Sequence, residues 1–316
     1  MSTAEMDRRR FLKQTAAASL ALGLGGGVVA GCSKQGDKLM SNYRVQTDDE
    51  RKIDLLINEK NKARVMIKRS GAEVVGYRIT DTASGRQVPL MWRDSELEPP
   101  ESGWRGHATV MFPIVGGIRN NTSRLGSKVI RLGGHGFAHS SMFDLVGTDD
   151  KTSARIHYRL DPGSQIKNDY PFDFRFDIIY ELEGNMLSAT FDIGNPGSEP
   201  LYCCFGWHPG LRAPIFHGVG KKSDCRLVLP PGGTITRYCV NEHCRLTGET
   251  TAVSTDRPLE WTEEELFATM LFGVDDPDLR AITLEDPGSG IDIRVEFPGF
   301  SNFGLWSEPG REYICI

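Results

Sequence analysis

The sequence predicts an all-β protein, a large antiparallel sandwich or barrel. Three observations predict it. Several segments alternate between apolar and polar residues with a period of two, Gly, Pro, Asn and Asp separate these segments, and helical periodicity is scarce. The 316 residues are 39% hydrophobic and include 35 Gly and 17 Pro, which excludes a disordered chain and allows one large β domain. No fixed internal repeat is present, which disfavours a propeller.

The clearest strand runs from Phe172 to Leu182, where every second residue is apolar and most of the residues between them are charged. A turn-forming pair, Gly184-Asn185, follows it. The same alternation then resumes from Leu187 to Ile193. The pattern predicts a long antiparallel hairpin with one apolar face.

The remaining elements have shorter signals. A third clear strand alternates from Ile291 to Phe297. Thr262, with Glu265 three residues later, forms a possible capping box and predicts a short helix. Weaker strand signals lie at 64–68, 74–79 and 156–160.

The N-terminus has the layout of a bacterial export signal. Arg8-Arg9-Arg10-Phe11-Leu12-Lys13 resembles the twin-arginine motif and precedes a short, mildly apolar stretch. Val29-Ala30-Gly31-Cys32 then resembles a lipobox. We predict a signal peptide over 1–31, a lipid anchor at Cys32, a polar tether over 32–51 and a β domain over 52–316. The protein would then face the periplasm on a membrane; the alternative is an ordinary cleaved signal with a chance Cys.

Charge and cysteine usage limit the possible ligands. The net charge is −5 with no stripe of Lys or Arg, so we expect no nucleic-acid partner. Six Cys remain after Cys32, an even number that permits disulfides without assigning them. Cys239, His243 and Cys244 stand close together, but no second Cys pair lies at a matching interval. We therefore expect neither a metal nor a cofactor.

Two histidines stand in surroundings that suit a ligand site. His135 lies among glycines, where the backbone can approach a ligand closely. His208 lies directly before Pro209 and directly after Trp207, an indole able to pack on the apolar face of a sugar. The remaining histidines have no comparable polar surroundings and are interpreted as structural.

Four motifs, in this order, resemble the aldose 1-epimerase (galactose mutarotase-like) family. They are Phe112-Pro113-Ile114-Val115-Gly116, His135-Gly136-Phe137-Ala138, His208-Pro209, and the closing segment 300–316 with Gly304-Leu305-Trp306-Ser307-Glu308-Pro309-Gly310. The resemblance implies a large antiparallel β-supersandwich, in agreement with the alternation described above. It also implies an isomerase that binds a free aldose and interconverts its α and β anomers.

The resemblance implies a role for each matched residue. His208 resembles the general acid that protonates the ring oxygen, and His135 resembles the second histidine that holds the sugar. Phe137 belongs to the same binding motif. Arg119 lies near the position of a sugar-binding Arg, although Gly117 occupies the place where close relatives carry that Arg.

The base is the main departure from the family pattern. In the family a Glu directly follows a strand like Tyr313-Ile314-Cys315-Ile316, and this sequence stops at Ile316. We therefore expect the catalytic carboxylate beyond this sequence, and the 316-residue chain to be inactive. Glu312 shares the opposite strand face, and Glu308 lies in a predicted turn. His139 and Thr269 also replace an Arg and an Asp usual in relatives. These departures leave open a non-catalytic carbohydrate-binding lipoprotein on the same scaffold.

Overall fold

The computed structural model describes residues 14–22, 41–81, 84–241 and 245–316. Within these ranges the chain forms strands and two short α-helices. The strands are β1 Gln14–Leu22, β2 Tyr43–Asp48, β3 Ile53–Asn58, β4 Ala63–Lys68, β5 Glu73–Thr80, β6 Gln87–Pro89, β7 Ala108–Met111, β8 Thr122–Leu125, β9 Lys128–Arg131, β10 Asp144–Asp149, β11 Ala154–Leu160, β12 Arg175–Glu183, β13 Met186–Gly194, β14 Gly206–Arg212, β15 Arg226–Val228, β16 Thr234–Val240, β17 Leu246–Ser254, β18 Met270–Gly273, β19 Ala281–Asp286, β20 Ile291–Glu296, β21 Asn302–Leu305 and β22 Tyr313–Cys315. The helices are α1 Ser164–Asp169 and α2 Glu263–Ala268.

The strands form antiparallel sheets. An eight-stranded sheet has the order β10-β11-β12-β13-β1-β20-β19-β15, and a five-stranded sheet has the order β2-β3-β4-β5-β6. Smaller sheets have the orders β17-β16-β18-β21, β22-β14-β7 and β8-β9. The all-β antiparallel prediction is confirmed.

The core lies where the apolar faces of these strands meet. Along β13 buried and partly exposed residues alternate at every position, as the sequence pattern requires. The predicted hairpin is confirmed, with Leu182 opposite Leu187 across the turn. Its first strand begins at Arg175, later than the alternation indicates, although Phe172 and Phe174 are buried. The predicted capping box is confirmed too, because Thr262 accepts a hydrogen bond from the Glu265 amide and donates its own amide to the Glu265 carboxylate.

Two segments at the start of the chain differ from the predicted boundaries. The predicted tether over 32–51 contains β2, which pairs along its length with β3. Tyr43 and Val45 pack against the core from this strand; the prediction was wrong because these are its only two apolar residues, too few to mark a strand. In the predicted export signal, β1 pairs with β13 and β20. The rest of that segment and Cys32 lie outside the described residues, so export and lipidation stay predictions.

The structure shows the state of the described cysteines and the length of the described helices. Cys203, Cys204, Cys225, Cys239 and Cys315 are free thiols. Within the described ranges no helix is long and apolar enough to cross a membrane. His243 and Cys244, considered above as metal ligands, lie outside the described residues.

The three-stranded sheet positions the candidate site. β14 lies in its centre, with β22 along one part of the strand and β7 along the other. Gly210 is opposite Cys315, and His208 is opposite Thr109. His208 therefore lies on a central strand, where β7 pairs with it directly and the β22 side is bonded from Pro209 onward.

Candidate active site

His208 and Trp207 lie on opposite faces of β14. Successive strand residues alternate between faces, and Trp207 is only 9% exposed and packs on Tyr180, with ring centroids 6.1 Å apart. His208 is partly exposed on the other face. We therefore correct the expectation that Trp207 packs on a sugar: a residue next to a site histidine in a strand faces away from it.

His135 lies in a loop and has an unusual backbone conformation. Its φ is 63°, in the left-handed region that non-glycine residues seldom adopt. Its amide donates to the Gly116 carbonyl at 2.7 Å, and the Gly116 amide donates to its Nδ1 at 3.1 Å. Because Nδ1 accepts this hydrogen bond, the neutral ring carries its proton on Nε2. His135 thus offers an N–H donor on the side of the ring opposite the loop.

The glycine after His135 is required by close packing. Gly136 has a φ of 74°, and a Cβ there would lie 2.6 Å from the Phe112 carbonyl carbon. Gly136 and Phe112 form an isolated parallel bridge. A side chain at position 136 would push the loop off the core and displace His135.

The two histidines meet. Their ring centroids are 5.9 Å apart with the planes at 72°. Both residues are partly exposed, and the surface that they share is called the pocket below. The resemblance assigns both residues to one sugar site, although 73 positions separate them along the chain. Their catalytic roles stay a prediction.

Both imidazoles are neutral near pH 7. Burial, and then the neighbouring His135, lower the pKa of His208 to about 4. Burial, and then His139, lower the pKa of His135. The Nδ1 atom of His208 is buried without a hydrogen-bond partner in the described chain. The pocket therefore contains two uncharged rings, one with a fixed tautomer and one with a free nitrogen.

Two tryptophans border His208, and the sequence analysis missed both. Trp104 and Trp306 have ring centroids 5.2 Å and 5.8 Å from that of His208, and both are partly exposed. Trp306 lies inside a motif quoted above, but no pattern assigned it a role. Trp104 sits in an irregular segment between Gly103 and Gly106, where only its glycine neighbours signal a close approach.

Neither acidic residue near the C-terminal strand is free to act in the pocket. One oxygen of Glu308 accepts hydrogen bonds from the Trp104 amide and from the Tyr313 hydroxyl, each at 3.0 Å. Oε2 of Glu312 lies within hydrogen-bond distance, 2.6 Å, of Nδ1 of His217. Glu308 therefore ties the segment that carries Trp104 to the C-terminal strand.

A buried polar cluster lies behind His208 and was also missed. Glu73 accepts the amides of His107 and Ala108 at 2.7 Å and 3.1 Å, and pairs with Lys68 at 2.6 Å. Burial alone would raise the pKa of Glu73, but Lys68 and these hydrogen bonds lower it. This carboxylate fixes the start of β7, the strand beside His208. His107, interpreted above as structural, is a buried member of this cluster.

The other two predicted binding residues lie on the loops that carry the site. Phe137 is partly exposed and packs against Phe112 and Phe174 at centroid distances of 5.8 Å and 5.7 Å, so its contact with a sugar stays a prediction. Arg119 is exposed on the loop that follows Gly116. Among the described residues, no group of three or more His, Cys, Asp or Glu side chains is arranged to hold a metal ion.

The sequence profile of one family decides the relationship. The profile described as aldose 1-epimerase matches residues 54–297, more than half of the chain. The chain belongs to the aldose 1-epimerase family. It is also 25% identical over 253 residues to the plasmid-encoded protein LacX of Lactococcus lactis subsp. lactis, covering 76% of this chain and 80% of LacX.

Solved structures show the same fold. A galactose mutarotase related enzyme from Lactobacillus acidophilus aligns with a TM-score of 0.68 at 24% identity, covering 80% of this chain and 81% of that one. A galactose mutarotase-like protein from Lactobacillus casei ATCC 334 aligns with a TM-score of 0.68 at 20% identity, covering 82% and 85%. A putative aldose 1-epimerase from Escherichia coli K12 aligns with a TM-score of 0.57 at 16% identity, covering 80% and 83%. The galactose mutarotase-like fold is confirmed.

Membership of the aldose 1-epimerase family places the chain among isomerases and implies a sugar as its substrate. This agrees with the chemistry of the pocket, in which neutral hydrogen-bonding groups lie beside aromatic rings. Sugars are bound by that combination because each ring presents both hydroxyl groups and C–H surfaces.

Proposed function

We propose that this protein is an aldose 1-epimerase that interconverts the α and β anomers of a free aldose. The observation that supports it is the approach of His135 and His208 to 5.9 Å in a partly exposed pocket. Anomer exchange needs a proton removed from the C1 hydroxyl and a proton delivered to the ring oxygen. His208 would deliver the proton, and the Nε2–H of His135 would hold the same region of the sugar.

Strand register supports a place for the base. Gly210 lies opposite Cys315, and the Ile316 amide donates to the Pro209 carbonyl at 3.2 Å. A residue that follows Ile316 in the same extended conformation would lie opposite His208. Directly opposed residues in an antiparallel pair share one face of the sheet. A Glu at that position would lie on the same face of the sheet as His208, the proposed acid, and close enough to change the pKa of His208.

Such a carboxylate would also change the acid. With a pKa of about 4, His208 holds no transferable positive charge near neutrality. A negative charge within about 4–6 Å favours the protonated imidazole and raises its pKa. The same Glu would thus act as base and bring His208 into the range of a general acid.

Anomer-exchange NMR on α-glucose and α-galactose tests the proposal. We compare the 316-residue chain with chains extended after Ile316 by Glu or, as the matched control, by Gln. General acid–base catalysis contributes about 10²–10⁴-fold, so the Glu chain should exceed the Gln chain by at least about 10²-fold. Exchange by the Glu chain that survives His208→Ala would overturn the proposed acid.

The second candidate is a carbohydrate-binding protein without turnover. The low pKa of His208 favours it, because a neutral imidazole is a poor acid but a good hydrogen-bonding group. Sugar binding by the Glu-extended chain without any exchange would establish this function instead.

We also propose export and lipid anchoring at Cys32, on the motifs at 8–13 and 29–32. Fatty-acid labelling in a bacterial host should mark the native chain and not Cys32→Ala. Replacing Arg8 and Arg9 with Lys should keep the protein in the cytoplasm. Labelling that persists in Cys32→Ala would overturn the anchor.

A further inference from the structure

We propose that Trp104 and Trp306 form a stacking surface that selects a six-membered sugar ring with a continuous C–H face, as in gluco- and galactopyranose. The inference rests on the proposed function to the extent that the pocket takes a sugar, and it adds which form of the sugar is recognised and by which residues.

The rings of Trp104, Trp306 and His208 enclose one corner of the pocket. The two indoles are 5.9 Å apart with their planes at 77°, and each lies within 5.8 Å of the imidazole. All three side chains are partly exposed. A ligand that contacts His208 on this side therefore also meets indole surface.

The ring of Trp104 is held on two glycines. A Cβ at Gly210 would lie 2.5 Å from Cζ3 of the indole, and a Cβ at Gly106 would lie 2.8 Å from its Cε2. These contacts explain why the residue two positions after His208 has no side chain. The Trp104 amide is fixed independently by its hydrogen bond to Glu308. The two glycines under the ring and the hydrogen bond of the Trp104 amide therefore fix the position of this indole.

Trp306 is held at both its backbone and its ring. Its amide and carbonyl exchange hydrogen bonds with Cys315 at 3.1 Å and 2.7 Å. Its indole Nε1 donates to the Phe267 carbonyl at 3.1 Å. Because the only polar atom of the ring is already paired, its exposed surface offers aromatic contact alone.

Because the two indole planes are 77° apart, a flat apolar ligand face can lie on one ring while the other ring borders its edge. In β-gluco- and β-galactopyranose the axial C–H bonds at C1, C3 and C5 form such a surface, and the one axial hydroxyl group, O4 of galactose, points to the other face. An open-chain hexitol carries the same hydroxyl groups but has no fixed C–H face. Indoles bind with little loss of conformational freedom, so they discriminate by shape between the cyclic and the open form.

The test measures binding with probes that cannot turn over. We use methyl β-D-glucopyranoside and methyl β-D-galactopyranoside, whose anomeric carbons are locked, with sorbitol as the open-chain control. By isothermal titration, Trp104→Ala and Trp306→Ala should each weaken glycoside binding about tenfold, the scale of a buried aromatic anchor. Trp104→Phe and Trp306→Phe should stay within about threefold, because each retains a ring.

A measurement on the unmodified protein removes any dependence on variant folding. Saturation-transfer NMR should mark H1, H3 and H5 of methyl β-D-glucopyranoside, which share one face, more strongly than H2 and H4. Equal saturation of both faces overturns the stacking proposal. So do glycoside binding unchanged in both Trp→Ala variants, sorbitol binding as strong as glycoside binding, and failure of the unmodified chain to bind either glycoside.

Failure of the proposed function gives a different result. Glycoside binding that depends on Trp104 and Trp306, with no anomer exchange in any chain, supports the stacking surface and refutes the epimerase.

Discussion

Two polar centres in this molecule, one buried and one partly exposed, are built in opposite ways. Asp54, which is fully buried, accepts two hydrogen bonds from Arg69, each at 2.8 Å, and one from the Tyr158 hydroxyl at 2.7 Å. In the pocket, His208 has a buried Nδ1 without a partner, and His135 has a left-handed backbone. In the first centre every carboxylate oxygen accepts a hydrogen bond, whereas in the second the Nδ1 atom of His208 has no partner among the described residues.

The saturated centre at Asp54 stabilises the fold, whereas the centre at His135 and His208 suits ligand binding. A buried charge with every oxygen paired leaves nothing for a ligand and fixes the strands around it. A strained residue beside an unpaired nitrogen gives up stability and persists because the surrounding structure holds it. We expect substitutions at the two centres to have effects of different size and, in one case, of opposite sign.

The largest effect is expected at the saturated centre. Asp54→Ala leaves the Arg69 guanidinium buried without its main partner, and removing one member of a buried pair is destabilising by about 3–5 kcal/mol. Urea unfolding measures the loss. The control is Arg44→Ala, which breaks the exposed pair with Glu59 and should change stability by less than about 1 kcal/mol. Equal losses in the two variants would contradict the contrast.

Acid should weaken the region behind the pocket. Burial, together with Arg93 and Lys68, lowers the pKa of His107 from 6.5 to about 4, despite the opposing effect of Glu73. Between these pH values the unfolded chain binds more protons, so this contribution is complete above about pH 6.5 and is lost as the pH falls to 4.

The expected loss from His107 is about 2–3 kcal/mol. Urea unfolding at pH 7.5 and pH 4.5 measures it, and His107→Gln should show a smaller difference between the two pH values. An identical pH dependence in the variant would mean that other groups carry the effect.

Removing one hydrogen bond from the saturated centre should have a moderate effect. Tyr158→Phe deletes the hydroxyl that donates to Asp54 but leaves both bonds from Arg69. A hydrogen bond to a charged group contributes about 1.5–3 kcal/mol, and we expect the lower end because the carboxylate keeps two donors. A loss as large as that of Asp54→Ala would show that the hydroxyl, rather than the ion pair, dominates.

The smallest effect is expected to have the opposite sign. His135→Gly removes the side chain from a residue with a φ of 63° and should stabilise the fold by up to about 1 kcal/mol, while it removes a proposed sugar contact. Thermal unfolding and glycoside titration measure the two consequences. His135→Ala, which keeps the strained Cβ, should show the loss of binding without the gain; a large destabilisation by Gly would mean that the imidazole bond to Gly116 outweighs the strain.

Local pattern predicted much of the fold. The alternation in β12, β13 and β20, the turn at Gly184 and the capping box before α2 are all carried by neighbouring residues, and the structure has each of them. The strand β2 was missed because polar residues occupy most of its positions.

The site was predictable only in part. His135 and His208 are framed by their immediate neighbours, so the sequence indicates them. Trp104 is defined by contacts with Gly210 and Glu308, more than a hundred residues away, which no local pattern contains. Trp207 is a different case. Alternation along β14 was sufficient to assign it to the core, but it was predicted to contact the sugar because it lies next to His208.

The sheet β22-β14-β7 joins segments from three distant parts of the chain, and Trp104, His208 and Trp306 lie in or near these segments while His135 comes from a fourth. Contacts between distant segments form late, after the loops that separate them have closed. Sugar binding therefore requires the fully assembled tertiary structure. A partly folded state that retains much of its secondary structure should not bind the ligand.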